Sequence, residues 1–253
     1  MKINNYYDKL SYKEQYRLID RKDILKPKFP RSFFAYENRF ISVISKISSY
    51  VSKTNSKITI LDIGCGDGVY EKLLPRDIFD NLYKIGVDFS KKQLKKAKKY
   101  FDKTNQVDLD SDKLPINDKS IDLVICSEVL EHLFFPEKVI SEISRVLKPG
   151  GVVLITVPNF PSLQTRLSIL LKGSAPMVNY STNKEHIRFY SLNDIDVLLA
   201  NKFTREEVRG IGSVLFDYWN TVFKLPIPRI FQILGDRFFP KLANGIMITA
   251  RKK

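Results

Sequence analysis

The run Ile58-Thr59-Ile60-Leu61-Asp62-Ile63-Gly64-Cys65-Gly66-Asp67-Gly68 constrains the fold of this chain more than any other stretch. A β-branched, apolar segment leads directly into a turn with glycine at every second position. Glycine belongs there because the backbone must reverse tightly and let a ligand approach with no Cβ in the way. The spacing is G-x-G-x-G. A dinucleotide fingerprint, G-x-G-x-x-G, would need its third glycine where Val69 stands. Asp62, just before the turn, suits a zwitterionic ligand with an ammonium and a sulfonium better than a pyrophosphate.

Further acids follow at matching places. Lys84-Ile85-Gly86-Val87-Asp88 puts a carboxylate at the end of a second apolar run, about twenty residues past the glycines. A carboxylate there can accept both hydrogens of a ribose diol. Val107-Asp108-Leu109 closes a third run. Asp108 can accept from an adenine amine, with Leu109 and Phe89 as apolar walls.

The surrounding pattern is that of alternating strands and helices. Strands are expected at Ile58–Ile63, Tyr83–Val87, Gln106–Leu109, Ile121–Cys126, Val152–Val157, Phe203–Ile211 and Gly245–Ala250. Helices are expected near Gly68–Leu74, Lys91–Phe101, Pro136–Leu147 and Asn193–Ala200. Runs without strict polar alternation predict strands covered on both faces, as in a parallel sheet. Residues 1–56 read as an N-terminal helical cap, with Phe40, Val43, Ile44, Ile47 and Val51 at helical spacing. Residues 57–253 read as the main domain, with insertions at about 160–190 and 213–243.

The motifs together resemble those of the class I S-adenosylmethionine-dependent methyltransferases, in particular the small-molecule, type 11-like group. Leu61 to Gly68 is similar to the family's first motif and Gly86-Val87-Asp88-Phe89-Ser90 to its second. Asp108 to Pro115, followed by Ile121 to His132, resembles the third and fourth. Leu147 to Ile155 resembles the turn and strand that close the cofactor half. The resemblance covers about residues 57–160. It implies an α/β fold, a Rossmann-like three-layer sandwich with a seven-stranded, mostly parallel sheet and an antiparallel last strand. It implies S-adenosylmethionine as cofactor and S-adenosylhomocysteine as product. Asp62, Gly64, Cys65 and Gly66 would then lie at the methionine end. Asp88 and Phe89 would serve the nucleoside, Asp108 and Leu109 the adenine, and Ser127 the methionine moiety.

Methyl transfer needs an acceptor placed in line with the methyl group, and a hydroxyl acceptor also needs to lose a proton. The chain has two histidines. His132 follows Glu128-Val129-Leu130-Glu131 and is read as structural or cofactor-side. His186, in Asn183-Lys184-Glu185-His186-Ile187-Arg188, is the expected general base, since similar enzymes place this segment beside the acceptor. The histidines lie far apart in sequence and no Cys/His cluster has metal-ligand spacing, so no metal is expected. Cys65 and Cys126, expected to be neighbours, read as buried fillers.

Composition bounds the partners. The formal net charge is +14, from 42 Lys and Arg against 28 Asp and Glu. It draws anionic partners, and Lys91 to Lys99 concentrates part of it on what reads as a solvated outer helix. The N-terminus lacks the apolar core of a signal peptide, and no stretch reads as a membrane span, so a cytoplasmic location is expected. Apolar Leu163–Leu171 and the aromatic, proline-broken segment from Phe216 suit an interfacial surface or a lid. These features, with a tail similar to that of enzymes of surface-glycan assembly, point to O-methylation of a sugar or a lipid-linked glycan precursor, with peripheral contact to anionic membrane. Charge alone would favour an RNA or protein methyltransferase, but no RRM or KH pattern accompanies it. A non-catalytic cofactor-binding protein on the same fold is the third reading.

Overall fold

The computed structural model describes residues 34–54, 56–175, 186–212 and 229–253. Side chains are described from residue 38 onward in the first of these stretches and from residue 233 in the last. The sequence segments Tyr6–Ile24 and Phe216–Pro228 lie outside them, as does most of the tract before His186.

The described residues form a seven-stranded sheet in the order β3-β2-β1-β4-β5-β7-β6. Its strands are β1 (Ile58–Ile63), β2 (Leu82–Asp88), β3 (Lys103–Gln106), β4 (Ile121–Ser127), β5 (Leu147–Pro158), β6 (Phe203–Ile211) and β7 (Gly245–Lys252). The first five run parallel, and β7 lies antiparallel between β5 and β6. This is the class I methyltransferase architecture that the motifs imply. The helices are α1 (Phe34–Val51), α2 (Val69–Leu73), α3 (Arg76–Asp80), α4 (Lys91–Ala97), α5 (Pro136–Val146), α6 (Leu163–Lys172), α7 (Leu192–Leu199) and α8 (Arg229–Phe238).

Both faces of the sheet are covered, which explains why the strands read as continuous apolar runs. On one face Leu61, Ile63, Val87, Val124 and Ile155 pack against Val139, Ile140 and Ile143 of α5 and Ile195 of α7. On the other, Ile58, Ile60, Leu123, Ile125 and Leu154 meet Phe40, Val43, Ile47 and Val51 of α1. Those four α1 residues recur at helical spacing because only one stripe of the helix touches the sheet. No helix among the described residues is long and apolar enough to cross a membrane.

Three elements differ from the sequence expectation by three residues or more. β3 spans Lys103–Gln106 and not Gln106–Leu109. Acid side chains divert the backbone there: Asp110 N donates to Asp108 Oδ1 at 3.1 Å, and Asp108 N donates to Asp112 Oδ2 at 3.0 Å. α4 stops at Ala97, where Tyr100 N bonds Ala97 O at 2.8 Å and turns the chain. β5 begins at Leu147, taking in the Lys148-Pro149-Gly150-Gly151 turn. Its pairing with β4 shifts register between Ile121 and Leu123, and Gly150 adopts φ +72°.

Candidate active site

The parallel registers set the site. Ile63 pairs with Val87 on one side and with Cys126 on the other. The glycine turn, Asp88–Ser90 and Ser127–Glu128 therefore leave the sheet at one edge. β1 has β2 on one flank and β4 on the other, so this edge is where strand order reverses and a crevice opens.

The turn is shaped by two glycines with different reasons. Gly64 has φ +70°, and a Cβ there would lie 2.5 Å from Val129 Cγ2. Gly66 has φ +54°, and a Cβ there would meet nothing within 4 Å. The first is tight against the protein, whereas the second faces open space that a ligand can fill. Asp88 ties this turn to β2. Its Oδ2 accepts from Gly66 N at 2.9 Å and its Oδ1 from Ser90 N at 2.7 Å. Phe89 is half-buried beside it, its carbonyl accepting from Gln106 Nε2 at 3.0 Å.

Asp62 is 2 % exposed, and its Oδ2 has no hydrogen-bond partner among the described residues. Burial, followed by repulsion from Glu71 and Asp88, pushes its carboxyl well above the ordinary range. Glu71 on α2 is also buried, with neither carboxylate oxygen hydrogen-bonded among the described residues, and burial pushes it up to about 7. An unsatisfied buried carboxylate is costly. A cationic ligand at the crevice would relieve that cost, and the ammonium of S-adenosylmethionine has the needed charge. The residues present therefore fit the cofactor.

Asp108 and Leu109 lie past β3 rather than on it. Val107 N donates to Asp88 O at 3.1 Å, so the turn that carries them still starts beside Asp88. Ser127 is placed by β4, with its Oγ 2.5 Å from Tyr70 OH and 2.7 Å from Thr156 Oγ1. Thr156 in turn donates to Glu128 at 3.0 Å, and Glu128 pairs with Arg39 of α1 at 2.8 Å. This polar chain joins α1, α2, β4 and β5. The cysteines fall in separate apolar clusters: Cys65 packs with Leu94, Ala97 and Phe101, while Cys126 belongs to the cluster with Leu61, Ile63 and Val124. Burial, then the charges of Asp62, Asp88 and Glu71, raises the Cys65 thiol well above its usual value.

The second centre was not legible from sequence spacing. Directly after β4 a single 3-10 turn, Leu130–His132, carries Glu131 and His132. The segment from His186 is laid across this turn. Ile187 N and Arg188 N donate to Glu131 O at 3.0 and 3.1 Å, Arg188 Nε to Leu133 O at 2.9 Å, and Tyr190 OH to Leu130 O at 3.3 Å. The two imidazoles consequently meet edge to face, with centroids 4.9 Å apart. Glu131 is 1 % exposed, and burial followed by repulsion from Glu128 raises its carboxyl well above the normal range. His186 is shifted down, first by burial and then by His132. Only the fold reveals this meeting, because β5, α6 and the tract after it separate the histidines.

Residues 61–155 match the family model described as a methyltransferase domain. A malonyl-[acyl-carrier protein] O-methyltransferase from Buchnera aphidicola is 31 % identical over 191 residues, covering 74 % of this chain and 72 % of the relative. An enzyme of the same name from Marinomonas sp. is 29 % identical over 220 residues, covering 81 % and 70 %. Among solved structures, a SAM-dependent methyltransferase from Archaeoglobus fulgidus superposes with a TM-score of 0.57 at 19 % identity, covering 87 % of this chain and 99 % of that one. With this fold, this glycine turn and these relatives, the chain belongs to the S-adenosylmethionine-dependent methyltransferase family.

Proposed function

We propose that this enzyme O-methylates a small acceptor borne on an anionic, lipid-linked carrier, with a glycan hydroxyl as the methylated group. The observation that carries the reading is that Glu131, His132 and His186 gather directly after β4, at the sheet edge where the glycine turn also leaves β1. S-adenosylmethionine supplies an electrophilic methyl group. Asp62 would hold its ammonium, Gly64, Cys65 and Gly66 would give it main-chain room, and Ser127 would border the methionine chain. Asp88 and Phe89 would hold the ribose side, and Asp108 with Leu109 the adenine. The acceptor oxygen would then face the histidine cluster. His186 is the group to take its proton when the cluster holds no cation, and its lowered basicity keeps the neutral, proton-accepting form in supply.

The acceptor class is supported by surface chemistry. Leu170 and Leu171 of α6 are 78 % and 71 % exposed, and Phe238 at the end of α8 and Phe239 after it are 65 % and 56 % exposed. Apolar side chains on a chain with net charge +14 suit a lipid carrying phosphate. The names of the two bacterial relatives favour a second reading, a carboxylate delivered on an acidic acyl-carrier protein. Turnover on lipid-phosphate-linked sugars against malonyl-carrier acceptors separates the two. Methyl transfer to the sugar class alone supports the first reading, and transfer to the carboxylate alone replaces it. On the accepted substrate, His186→Ala should lower kcat by about two to four orders of magnitude with S-adenosylhomocysteine affinity unchanged. A loss below about tenfold would remove His186 from proton transfer.

A further inference from the structure

We propose that Glu131, His132 and His186 form a binding site for one divalent transition-metal cation, with the acceptor oxygen as a further ligand. Glu131 Oε1 lies 3.9 Å from His132 Nε2 and 4.0 Å from His186 Nε2. One ligand atom from each of the three residues falls within 4.8 Å of the other two. Charge-assisted hydrogen bonds would close such pairs to about 2.7–2.9 Å. Here the donors converge on a shared gap instead. Metal–nitrogen and metal–oxygen bonds of about 2.0–2.2 Å put neighbouring ligand atoms roughly 3–3.5 Å apart. Contractions of about half to one and a half ångströms along the three pairs would therefore seat an ion.

Burial supplies a second, independent observation. Both oxygens of Glu131 are shielded from solvent without a hydrogen-bond partner among the described residues, and so is His186 Nδ1. A carboxylate left so is expensive unless it is paired or coordinates a cation. The backbone already holds the ligands in place, because the amides of Ile187 and Arg188 fasten the His186 segment to Glu131 O. The imidazoles are 23 % and 19 % exposed, so the site opens on their side while the carboxylate closes it behind. Two imidazoles and one carboxylate favour zinc, cobalt, manganese or iron over magnesium or calcium, and three protein ligands leave a position open.

The use of the cation rests on the O-methylation reading; its binding does not. A hydroxyl at the open position would lose its proton to solvent more readily. Its oxygen would take the methyl carbon while the carbon–sulfur bond breaks with its electron pair on sulfur, giving S-adenosylhomocysteine. In that state the His186 lone pair is committed to the cation and the proton goes elsewhere.

The test is titration of chelator-treated full-length protein with Co2+ and Zn2+, read by visible absorption and calorimetry, with S-adenosylhomocysteine binding measured on the same samples. The expected result is one equivalent bound, with affinity lowered about a hundredfold or more in His186→Ala and in His132→Ala and cofactor-product binding retained. Glu131→Gln should do the same, with its melting temperature as a folding control. Absence of cation binding at millimolar concentration, or affinity unchanged in both histidine variants, overturns the proposal. Loss of S-adenosylhomocysteine binding alone would count against the crevice assignments and leave the cation result standing.

Discussion

At residue 64 the chain turns with φ +70° against Val129, and two residues later it turns again over open space. Alanine should therefore do different things at the two glycines. Gly64→Ala combines left-handed strain with a steric clash and should cost about 2–4 kcal/mol of stability. Gly66→Ala should cost only about 1 kcal/mol, yet weaken S-adenosylhomocysteine about tenfold or more by occupying ligand space. Denaturant midpoints and calorimetry on the pair check this, and equal effects on stability would contradict it. Glu71 gives a pH signature. Its folded-state value is raised to about 7 from 4.5 by burial. Between those values the folded protein holds a proton that the unfolded chain releases, so stability falls as pH rises through the window. The full penalty, on the order of 3 kcal/mol, stands above it. Glu71→Gln should therefore stabilise the protein at pH 8 and lose most of that advantage near pH 5. A gain of equal size at both pH values would refute the assignment.

Among the elements, α4 and α6 show what a charge or apolar pattern can and cannot say. The α4 lysines at 91, 92, 95 and 96 are exposed, while Leu94 and Ala97 are buried with Phe101. The helix expected to be solvated thus exposes its lysines and packs one narrow apolar face. α6 is capped at its start by Ser162, whose side chain accepts from Thr165 N at 3.3 Å, but it buries little beyond Thr165. Leu170→Glu with Leu171→Glu should reduce co-sedimentation with anionic liposomes several-fold and leave the melting temperature unchanged. A drop in melting temperature without a change in sedimentation would make α6 a structural helix only. Strand positions were legible because burial on both faces imposes β-branched runs bounded by glycine or acid. The end of β3 was not, because the hydrogen bonds of Asp108 and Asp112 override the propensity of Val107 and Leu109. The split of the region after Gly68 into α2 and α3 follows Pro75, which precedes the first residue of the second helix.

For the whole molecule, the order β3-β2-β1-β4-β5-β7-β6 converts motifs distant in sequence into one edge. The placement of the three acids was legible because Asp62 and Asp88 fall within one residue of a strand end and Asp108 two residues past one. The meeting of the two histidines was not, since the His186 segment reaches Glu131 through main-chain bonds that no side-chain pattern encodes. The central claim is that the carboxylate at the end of β2 fixes the nucleoside of S-adenosylmethionine beside the glycine turn. The most direct measurement is calorimetric titration of S-adenosylhomocysteine into the wild type and Asp88→Asn. One site in the wild type, weakened roughly 10- to 100-fold by loss of the charge-assisted bonds, is the predicted result. Equal affinity in the folded variant, or no binding to the wild type, would contradict it.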